Sequence, residues 1–337
     1  MFQSFWKQSF PPPPAFLPNQ IPPGSQTNRV YIITGANQGI GLELVKLLYQ
    51  TGATIYLAGR SQPRIEAAIQ TIKSSTPTPS TPATLKHLHL DLNDLTSIKA
   101  SAATFAAQEK RLDILWNNAG VCGPPDVPST KQGIEGHIGV NCIAPLLFTQ
   151  ALLPQLREAT KSAVAGSVRV IWSGSLTIEQ LAPKGGRIDY SALEAGRDGT
   201  IGSQHRSSGV NDYAVSKLGN WYLCVEAAER WGGNYGIVSV VVNPGNVRTN
   251  MSAEAKKKSL IVRGVLALML YEPGLGAHTL LYAGFTGDVG VERNNGAYVL
   301  PFGVLGENGR KDVYEGIGKG EARRFWEWCE RMYGTYV

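Results

Sequence analysis

Residues 29–41 read RVYIITGANQGIG and join a short β-branched run to a glycine-rich turn. The run 29–34 predicts a buried strand of a parallel sheet, because it is brief and rich in β-branched residues. The three glycines of the turn let the backbone bend sharply and approach a pyrophosphate. The helical pattern that begins at Ile40 adds free N–H groups and a positive dipole end. The stretch predicts a dinucleotide-binding strand–turn–helix unit, although such turns are also common as purely structural features.

Strand and helix patterns alternate along the following two hundred or so residues. Further strand patterns cover 54–58, 85–90, 114–117, 167–173 and 238–243, and helical patterns lie near 40–51, 62–74, 94–109, 133–159 and 213–232. A strand that alternates with a helix favours a parallel sheet covered on both faces. We therefore expect a single doubly wound α/β domain over residues 29–300.

Four segments depart from this rhythm. Residues 1–28 are rich in proline and predict an extended arm that lies on the surface or loose. The polar insert 176–211 and the segment 248–272 both follow strand ends, where open α/β sheets bind ligands, so both are expected to line a substrate pocket. The charges of the insert, Glu179 among them, are expected to be solvated or to contact substrate. Residues 301–337 form a C-terminal extension.

The composition excludes several classes of protein. Hydrophobic residues make up 43% of the 337 residues and charged residues 17%, which rules out a disordered chain. The net charge is +6, but the densest run is only Lys256–Lys258 and no basic stripe interleaves with aromatics, so no nucleic-acid partner is expected. The most apolar stretch is shorter than the roughly 18 residues of a membrane span.

The cysteines and histidines predict neither a disulfide framework nor a metal site. The cysteines have no CxxC spacing, and the histidines have no metal-ligand spacing supported by other ligands. The N-terminus has no apolar signal-peptide core, since prolines interrupt it. These features favour a reducing, cytoplasmic location. The cysteines are Cys122, Cys142, Cys224 and Cys329.

Tyr213 and Lys217 stand four residues apart, which places both side chains on one face if the segment is helical. A free tyrosine has a pKa of about 10. A nearby ammonium favours the phenolate and is expected to lower the Tyr213 pKa toward the range that acid–base catalysis needs. The spacing alone is common by chance, and a surface pair explains it in most proteins.

Arg60 follows the second predicted strand, in the sequence Ala58-Gly59-Arg60-Ser61. Dinucleotide folds that prefer NAD usually place an acidic residue here to hold the ribose 2′-hydroxyl. Gly59 carries no carboxylate, and the planar fork of Arg60 can pair with a 2′-phosphate. The position therefore favours NADP over NAD, and the alternative is a solvated arginine that opens a helix.

Four motifs occur in an order that identifies a family resemblance. Thr34–Gly41 (TGANQGIG) matches a TGxxxGxG turn, Asn117–Gly120 is NNAG, Tyr213 and Lys217 form YxxxK, and Asn243–Thr249 (NPGNVRT) resembles PGxVxT. Together they resemble the short-chain dehydrogenase/reductase family over roughly residues 29–250. The resemblance implies a Rossmann-type domain that binds a nicotinamide dinucleotide.

The resemblance also implies catalytic roles. Tyr213 would exchange a proton with the substrate oxygen, and Lys217 would bind the nicotinamide ribose and lower the tyrosine pKa. A serine hydroxyl would hold the substrate oxygen; Ser175 matches the family serine, with Ser173 as the alternative across an unusual intervening glycine. Asn141 matches the asparagine that supports the lysine through a water.

The cofactor contacts follow by position. Asp91 and Asn118 would line the adenosine side, and Val247 and Thr249 would meet the nicotinamide amide. Gln38 departs from relatives that carry a basic residue there, so the expectation of NADP rests on Arg60. The implied cofactor-binding residues are Gly35, Gly39, Ile40, Gly41, Arg60, Asp91, Asn118, Tyr213, Lys217, Val247 and Thr249.

The expected function is that of an NADP(H)-dependent oxidoreductase that interconverts a carbonyl and an alcohol. Apolar residues across 251–270 favour a lipophilic substrate, and the alternative for them is an ordinary core helix. Pro301–Gly303 with Phe325–Trp328 resemble the fungal, retinol-dehydrogenase-like branch, which suggests secondary metabolism. A homodimer is a reasonable expectation from the family. The alternative is a catalytically silent NADPH-binding sensor or scaffold. An epimerase or dehydratase of the extended branch is disfavoured, because Gln38 occupies the place of its middle glycine.

Overall fold

One mixed sheet organises the computed structural model, which describes residues 2–75, 79–122, 127–194, 209–248 and 270–336. Its strands run in the order β3-β2-β1-β4-β5-β6-β7-β8. All neighbouring pairs are parallel except the antiparallel pair β7–β8. The strands are β1 (Val30–Thr34), β2 (Thr54–Gly59), β3 (Thr84–His89), β4 (Ile114–Asn117), β5 (Arg169–Ser173), β6 (Val238–Val242), β7 (Tyr298–Leu300) and β8 (Val304–Gly306).

Helices cover both faces of this sheet. Successive strand residues point to opposite faces, so Ile32 packs against one helical layer and Ile33 against the other. The predicted doubly wound domain is therefore confirmed, with an antiparallel edge strand added. The helices are α1 (Phe2–Ser9), α2 (Gly39–Leu48), α3 (Gln62–Ser75), α4 (Leu95–Gln108), α5 (Gly136–Ile138), α6 (Ala144–Ala151), α7 (Leu153–Thr160), α8 (Thr177–Leu181), α9 (Tyr190–Glu194), α10 (Gly209–Tyr235), α11 (Pro273–Phe285), α12 (Lys311–Gly318) and α13 (Glu321–Gly334).

The order of the strands creates a switch point at the carboxyl ends of β1 and β4. The chain runs outward from β1 to β3 and then returns to build β4 on the other side. Open α/β sheets bind ligands in the crevice at this point. Residue 35 and the residues after Asn117 both leave the sheet there, which places the glycine-rich turn and the NNAG motif side by side.

The predicted helix over 133–159 is wrong as a single element. A π-helical turn, Gly139–Ile143, separates α5 from α6, and a bend of 54° separates α6 from α7. Pro154 stands in the first turn of α7, where its missing N–H and its ring are tolerated but would break a continuous helix. Across the described ranges no single helix is long and apolar enough to span a membrane, although residues 136–151 and α7, as a bent pair, meet that length and composition together.

The N-terminal arm also differs from its prediction. The extended, loose arm is wrong for residues 2–9, which form α1, and the side chains of Gln8 and Ser9 are fully buried. The prolines at 11–14 end regular structure after the helix but do not prevent a helix before them. Polar contacts to the body of the domain hold α1 in place, and they are described below.

The C-terminal extension belongs to the same hydrophobic core. Phe325, Trp326 and Trp328 of α13 are buried in the same hydrophobic cluster as residues of α10. Trp326 packs edge-on against Trp231, with 5.3 Å between ring centroids. The indole Nε1 of Trp328 donates to Glu194 Oε1 at 2.7 Å, which ties the extension to the insert. The extension therefore buttresses the helix that carries Tyr213 and Lys217.

Candidate active site

The glycine-rich turn forms a cradle that only glycine permits. Gly35 and Gly39 have left-handed φ angles of 68° and 57°. A Cβ on Gly41 would stand 2.7 Å from Asn118 Nδ2 and 2.8 Å from the Gly35 oxygen. The helix α2 begins here, so its first N–H groups have no helical acceptor and face the turn. A dinucleotide phosphate fits this space and these donors.

Asn118 joins the two strands that flank the switch point. Its Nδ2 donates to the Thr34 oxygen at 2.8 Å, and the Ala119 N–H donates to Thr34 Oγ1 at 2.8 Å. Asp91 follows β3, and its Oδ1 accepts from the Asn93 N–H at 3.0 Å. Both predicted adenosine-side residues thus lie at the carboxyl edge of the sheet, where their side chains also shape the local backbone.

Arg60 lies directly after β2 with an exposed side chain. Within the part of the chain that the structure describes, no hydrogen bond or ion pair holds its guanidinium. The preceding Gly59 keeps the edge open, since a Cβ there would lie 3.2 Å from Ile65 Cδ1 and 3.9 Å from Asn37 Oδ1. The guanidinium is thus available to an anionic ligand beside the end of β2.

The loop after β6 reaches back to the start of α2. Val247 pairs with Tyr271 in an isolated parallel bridge. Val247 Cγ1 and Ile40 Cγ1 both approach the position that a Cβ on Gly276 would take, at 3.0 Å and 3.3 Å. These contacts bring Val247 and Ile40 to the same edge of the crevice. Thr249, the other predicted nicotinamide contact, lies outside the described residues.

Helix α10 brings Tyr213 and Lys217 together at the carboxyl end of β5. The Lys217 ammonium lies 5.4 Å from the centroid of the Tyr213 ring and donates to the Ser173 oxygen at 2.9 Å. A side-chain hydrogen bond joins Tyr213 to Ser175. Ser175 Oγ also accepts from the Thr177 N–H at 3.2 Å at the start of α8. Of the two candidate serines, Ser175 forms the side-chain hydrogen bond with Tyr213. Ser173 contributes only its main-chain oxygen, which accepts from Lys217.

Burial sets the ionisation of this pair. Burial raises the pKa of Tyr213 above its usual range, the nearby Cys122 raises it further, and the hydrogen bond from Ser175 lowers it only in part. Burial lowers the pKa of Lys217 to about 8. The expected lowering of the Tyr213 pKa is therefore wrong for the protein without a ligand, because loss of hydration is the largest cause of the shift and raises the pKa. The phenol holds its proton at neutral pH.

Asn141 lies in the π-helical turn and is buried. Its amide makes a reciprocal pair with Val121, accepting from the N–H at 2.8 Å and donating to the oxygen at 3.0 Å. It also donates to Ser216 Oγ at 2.9 Å, and Ser216 Oγ donates to the main-chain oxygen of Tyr213 at 2.8 Å. A Cβ on Gly120 would lie 3.0 Å from Asn141 Oδ1 and 3.6 Å from Lys217 Nζ. The missing side chain leaves the space between the two residues open.

Two neighbours of Tyr213 and Lys217 were not predicted from the sequence. His137 packs edge-on against the Tyr213 ring at 6.1 Å, and its Nδ1 lies 2.8 Å from Glu135 Oε1. Asn220 Nδ2 donates to the same Ser173 oxygen as Lys217, at 2.8 Å. Helical spacing from Lys217 was the available signal for Asn220, whereas His137 carried none. Among the described residues, no group of three His, Cys, Asp or Glu side chains could hold a metal ion.

Comparisons with known proteins agree with this geometry. The family profile described as short chain dehydrogenase matches residues 29–177. A short-chain dehydrogenase/reductase of the fungus Pestalotiopsis fici is 51% identical over 335 residues, which cover 99% of this chain and 98% of the relative. A second, from Phomopsis amygdali, is 39% identical over 352 aligned positions that cover 100% of both chains.

Solved structures share the fold at lower identity. A protein from Mycobacterium Paratuberculosis superposes with a TM-score of 0.65 at 24% identity, covering 94% of this chain and 96% of that one. A short chain dehydrogenase from Escherichia coli CFT073, solved as a complex with NADPH, gives 0.57 at 24% identity, covering 82% and 97%. The sheet order, the motifs and the full-length fungal relatives lead to one conclusion: the chain belongs to the short-chain dehydrogenase/reductase family of oxidoreductases.

Proposed function

We propose that the protein is an NADP(H)-dependent oxidoreductase that interconverts a carbonyl and an alcohol on a lipophilic small molecule. The observation that carries the proposal is the contact of Ser175 with Tyr213 above the buried ammonium of Lys217. Two hydroxyl groups that meet in this way can both hydrogen-bond to one substrate oxygen. This arrangement supplies positioning and proton transfer at the same atom.

Tyr213 acts as the general acid in the direction of reduction. The phenol is protonated at neutral pH, so it can donate its proton to the carbonyl oxygen as negative charge develops there. Ser175 donates a second hydrogen bond to that oxygen and orients the carbonyl. When bound, NADPH would supply the hydride that the carbonyl carbon accepts. In the direction of oxidation, the phenolate form of Tyr213 would take the hydroxyl proton, and burial disfavours that form in the protein without a ligand.

Lys217 and Asn141 complete the proposed catalytic set. Lys217 would hold the nicotinamide ribose and place a positive charge beneath the Tyr213 ring, since the two groups already lie 5.4 Å apart. Asn141 would hold the lysine through a water in the gap beside Gly120. Its own position is secured by the reciprocal pair with Val121. The π-helical turn that carries Asn141 is a feature that recurs at functional sites.

The preference for NADP rests on Arg60. Its exposed guanidinium lies at the end of β2, beside a glycine in place of an acidic residue. A 2′-phosphate would pair with the planar guanidinium of Arg60, whereas an acidic residue in place of Gly59 would repel that phosphate. The remaining proposed contacts are Gly35, Gly39, Ile40, Gly41, Asp91, Asn118, Val247 and Thr249.

The substrate class follows from the apolar residues of 251–270, of which 251–269 lie outside the described part of the chain. A polyketide-type aromatic ketone, a retinoid-like aldehyde and a steroid-like ketone are the candidates. The fungal relatives suit a role in secondary metabolism. A homodimer stays a prediction from the family.

The test is a panel of lipophilic ketones and aldehydes assayed with NADPH and NADH side by side. We expect reduction of at least one class, with NADPH preferred by about tenfold or more, since one tenfold step is about 1.4 kcal/mol. An NADH preference of similar size would overturn the role of Arg60. Tight NADPH binding with no reduction across the panel would instead favour the silent sensor or scaffold.

A further inference from the structure

Gln8 is a buried amide that joins two parts of the active site. It lies in α1 and is fully buried. Its Nε2 donates to Glu179 Oε1 at 2.6 Å, and its Oε1 accepts from Asn243 Nδ2 at 2.8 Å. Neither partner is near in sequence, so this bridge forms only when α1 docks on the folded domain.

Asn243 connects Gln8 to the cofactor side of the crevice. It follows β6 directly, and its Oδ1 accepts from the Gly245 N–H at 3.1 Å. Gly245 has a left-handed φ of 88°, and its oxygen accepts from the Val247 N–H at 3.0 Å. The side chain held by Gln8 therefore sets the turn that delivers Val247 to the edge of the crevice.

Glu179 connects Gln8 to the substrate side. It lies one helical turn after Ser175 in α8, where the Ile178 N–H donates to the Ser175 oxygen at 3.2 Å. Its Oε1 also accepts from the Gly309 N–H at 2.6 Å and from the Ser4 hydroxyl. Its Oε2 is buried without a hydrogen-bond partner among the described residues. The carboxylate therefore depends on the donors that meet Oε1, and two of these are side chains of α1.

A second contact ties α1 to the same loop. Tyr271 donates its hydroxyl to the Ser9 oxygen at 3.1 Å. The main chain of Tyr271 pairs with the loop, since its N–H donates to the Asn246 oxygen at 2.7 Å and its oxygen accepts from the Arg248 N–H at 2.8 Å. The helix thus reaches the loop through Asn243 on one side and through Tyr271 on the other.

From these contacts we infer that α1 contributes to the active site. Gln8 is a positioning residue for the loop 243–248, which would contact the nicotinamide. Gln8 holds the turn before Val247 at a set distance from α8, the short helix that follows Ser175. The inference rests on the proposed function, because the loop gains its role from the nicotinamide that it would contact.

Glutamine suits this place because it offers a donor and an acceptor at once. The carboxylate of Glu179 needs a donor, and the Asn243 amide needs an acceptor. A methionine would keep the shape and lose both hydrogen bonds. A glutamate would keep the bond to Asn243 but set two carboxylates face to face, unless one of them takes a proton. The protonated form of that glutamate would restore both bonds.

The experiment compares wild type with Gln8→Met, Gln8→Glu and the control Lys7→Ala, which alters an exposed side chain of the same helix. The dissociation constant for NADPH is measured by fluorescence titration near pH 8 and near pH 6, with the melting temperature followed alongside. We expect about tenfold weaker NADPH binding in Gln8→Met at both pH values and an unchanged constant in Lys7→Ala. We expect Gln8→Glu to bind weakly near pH 8 and to recover most of the wild-type affinity near pH 6.

The other groups around Glu179 do not titrate in this window. Burial raises the pKa of Tyr298 and of Tyr314 above the usual tyrosine range, so both stay neutral. The Arg310 pKa is raised from a value that is already high, chiefly by Asp312, so this guanidinium stays charged. A recovery of NADPH affinity by Gln8→Glu near pH 6, measured relative to wild type, therefore reports on protonation of the carboxyl group introduced at position 8.

The outcomes separate the inference from the proposed function. Absence of NADPH binding by wild type would overturn the proposed function and this inference with it. Binding by wild type with an unchanged constant in Gln8→Met would overturn the inference alone. A lower melting temperature in Gln8→Met with unchanged affinity would show a purely structural role and would also overturn it. If Gln8→Met does not fold, the pH response of Gln8→Glu decides, and no recovery near pH 6 counts against the inference.

Discussion

The cofactor end and the catalytic end of the crevice are built in different ways. At the cofactor end, Gly35 to Gly41 form one contiguous turn that packs against Asn118 and Ala119. At the catalytic end, Ser175, Tyr213 and Asn141 come from separate elements. The contact of Gln8 with Glu179, beside this end, joins residues that are 171 positions apart.

This difference decides which properties are local. The cradle of the cofactor end follows from left-handed backbone angles and missing Cβ atoms, which glycine specifies on its own. The ionisation of Tyr213 and Lys217 follows from burial by distant elements. Substitutions at the cofactor end should therefore act on binding alone, whereas those at the catalytic end should change chemistry or the pH dependence of stability.

The largest expected effect is at Tyr213. Replacement of Tyr213 by Phe removes the proton donor while keeping the ring that packs against His137. Turnover should fall by roughly 100- to 10,000-fold, the usual contribution of a general acid. NADPH binding, measured by fluorescence, should stay within about twofold of wild type. Unchanged turnover would remove Tyr213 from the mechanism.

Lys217 provides a test of burial at the catalytic end, in protein free of cofactor. Its pKa is lowered to about 8 in the folded state from 10.5, so between these values Lys217 binds fewer protons in the folded chain than in the unfolded chain and contributes a rise of stability with pH. Burial raises the pKa of Cys142, Cys224 and Cys329, and these thiols contribute a fall of stability above about pH 8.5, so the rise is measured as the difference between wild type and Lys217→Met. The slope contributed is at most about 1.4 kcal/mol per pH unit, or about 3 kcal/mol in all. Lys217→Met should lose this rise in denaturant unfolding between about pH 8 and pH 9.5.

The matched control for that experiment is Lys99→Met, since Lys99 is exposed. Its curve of stability against pH should parallel wild type. Above about pH 10 the raised pKa of Tyr213 acts in the opposite sense, because the unfolded tyrosine then loses its proton first. The measurement therefore stays below that value. If the free energy of unfolding of Lys217→Met depended on pH in the same way as that of wild type, Lys217 would not be the group that titrates.

Gly41→Ala tests the cofactor end. The added Cβ would meet Asn118 Nδ2 at 2.7 Å and the Gly35 oxygen at 2.8 Å, so the cradle must open. We expect NADPH to bind at least about 20-fold more weakly, or by roughly 1.8 kcal/mol. Gly233→Ala is the control, because a Cβ there meets nothing within 4 Å. Equal NADPH affinity in the two variants would show that the dinucleotide phosphate does not bind at this turn.

The smallest expected effect is at Arg60. Arg60→Ala should weaken NADPH binding by about tenfold, as expected for the loss of a charge-assisted hydrogen bond at an exposed site, and leave NADH binding unchanged. Lys73→Ala alters an exposed charge in the last turn of α3 and should affect neither cofactor. A parallel loss for both cofactors in Arg60→Ala would place the arginine at a contact that NADP and NAD share.

Sequence reasoning succeeded where the signal was local. The run before Gly35 predicted β1, and the alternation of strand and helix patterns predicted the parallel sheet. Helical spacing predicted that Tyr213 and Lys217 share a face, and the structure brings them together. The helix over 133–159 was mistaken because apolar periodicity continues across Pro154, although the backbone cannot.

The errors at the catalytic end arise from tertiary packing. The N-terminal arm was expected to be extended because of its prolines, yet α1 precedes them and is held by Glu179 and Asn243. Glu179 was expected to be solvated or to contact substrate, since it lies in a polar insert, but it is buried beneath α1. No pattern within either segment indicates a partner so distant in sequence.

The sequence by itself determined the doubly wound sheet, the glycine turn and the family, because these depend on backbone conformation and on short motifs. Only the tertiary structure decided the ionisation of Tyr213 and Lys217 and the docking of α1 on Glu179 and Asn243. The physical reason is that loss of hydration and buried hydrogen bonds depend on which segments surround a group, and that environment exists only in the folded chain.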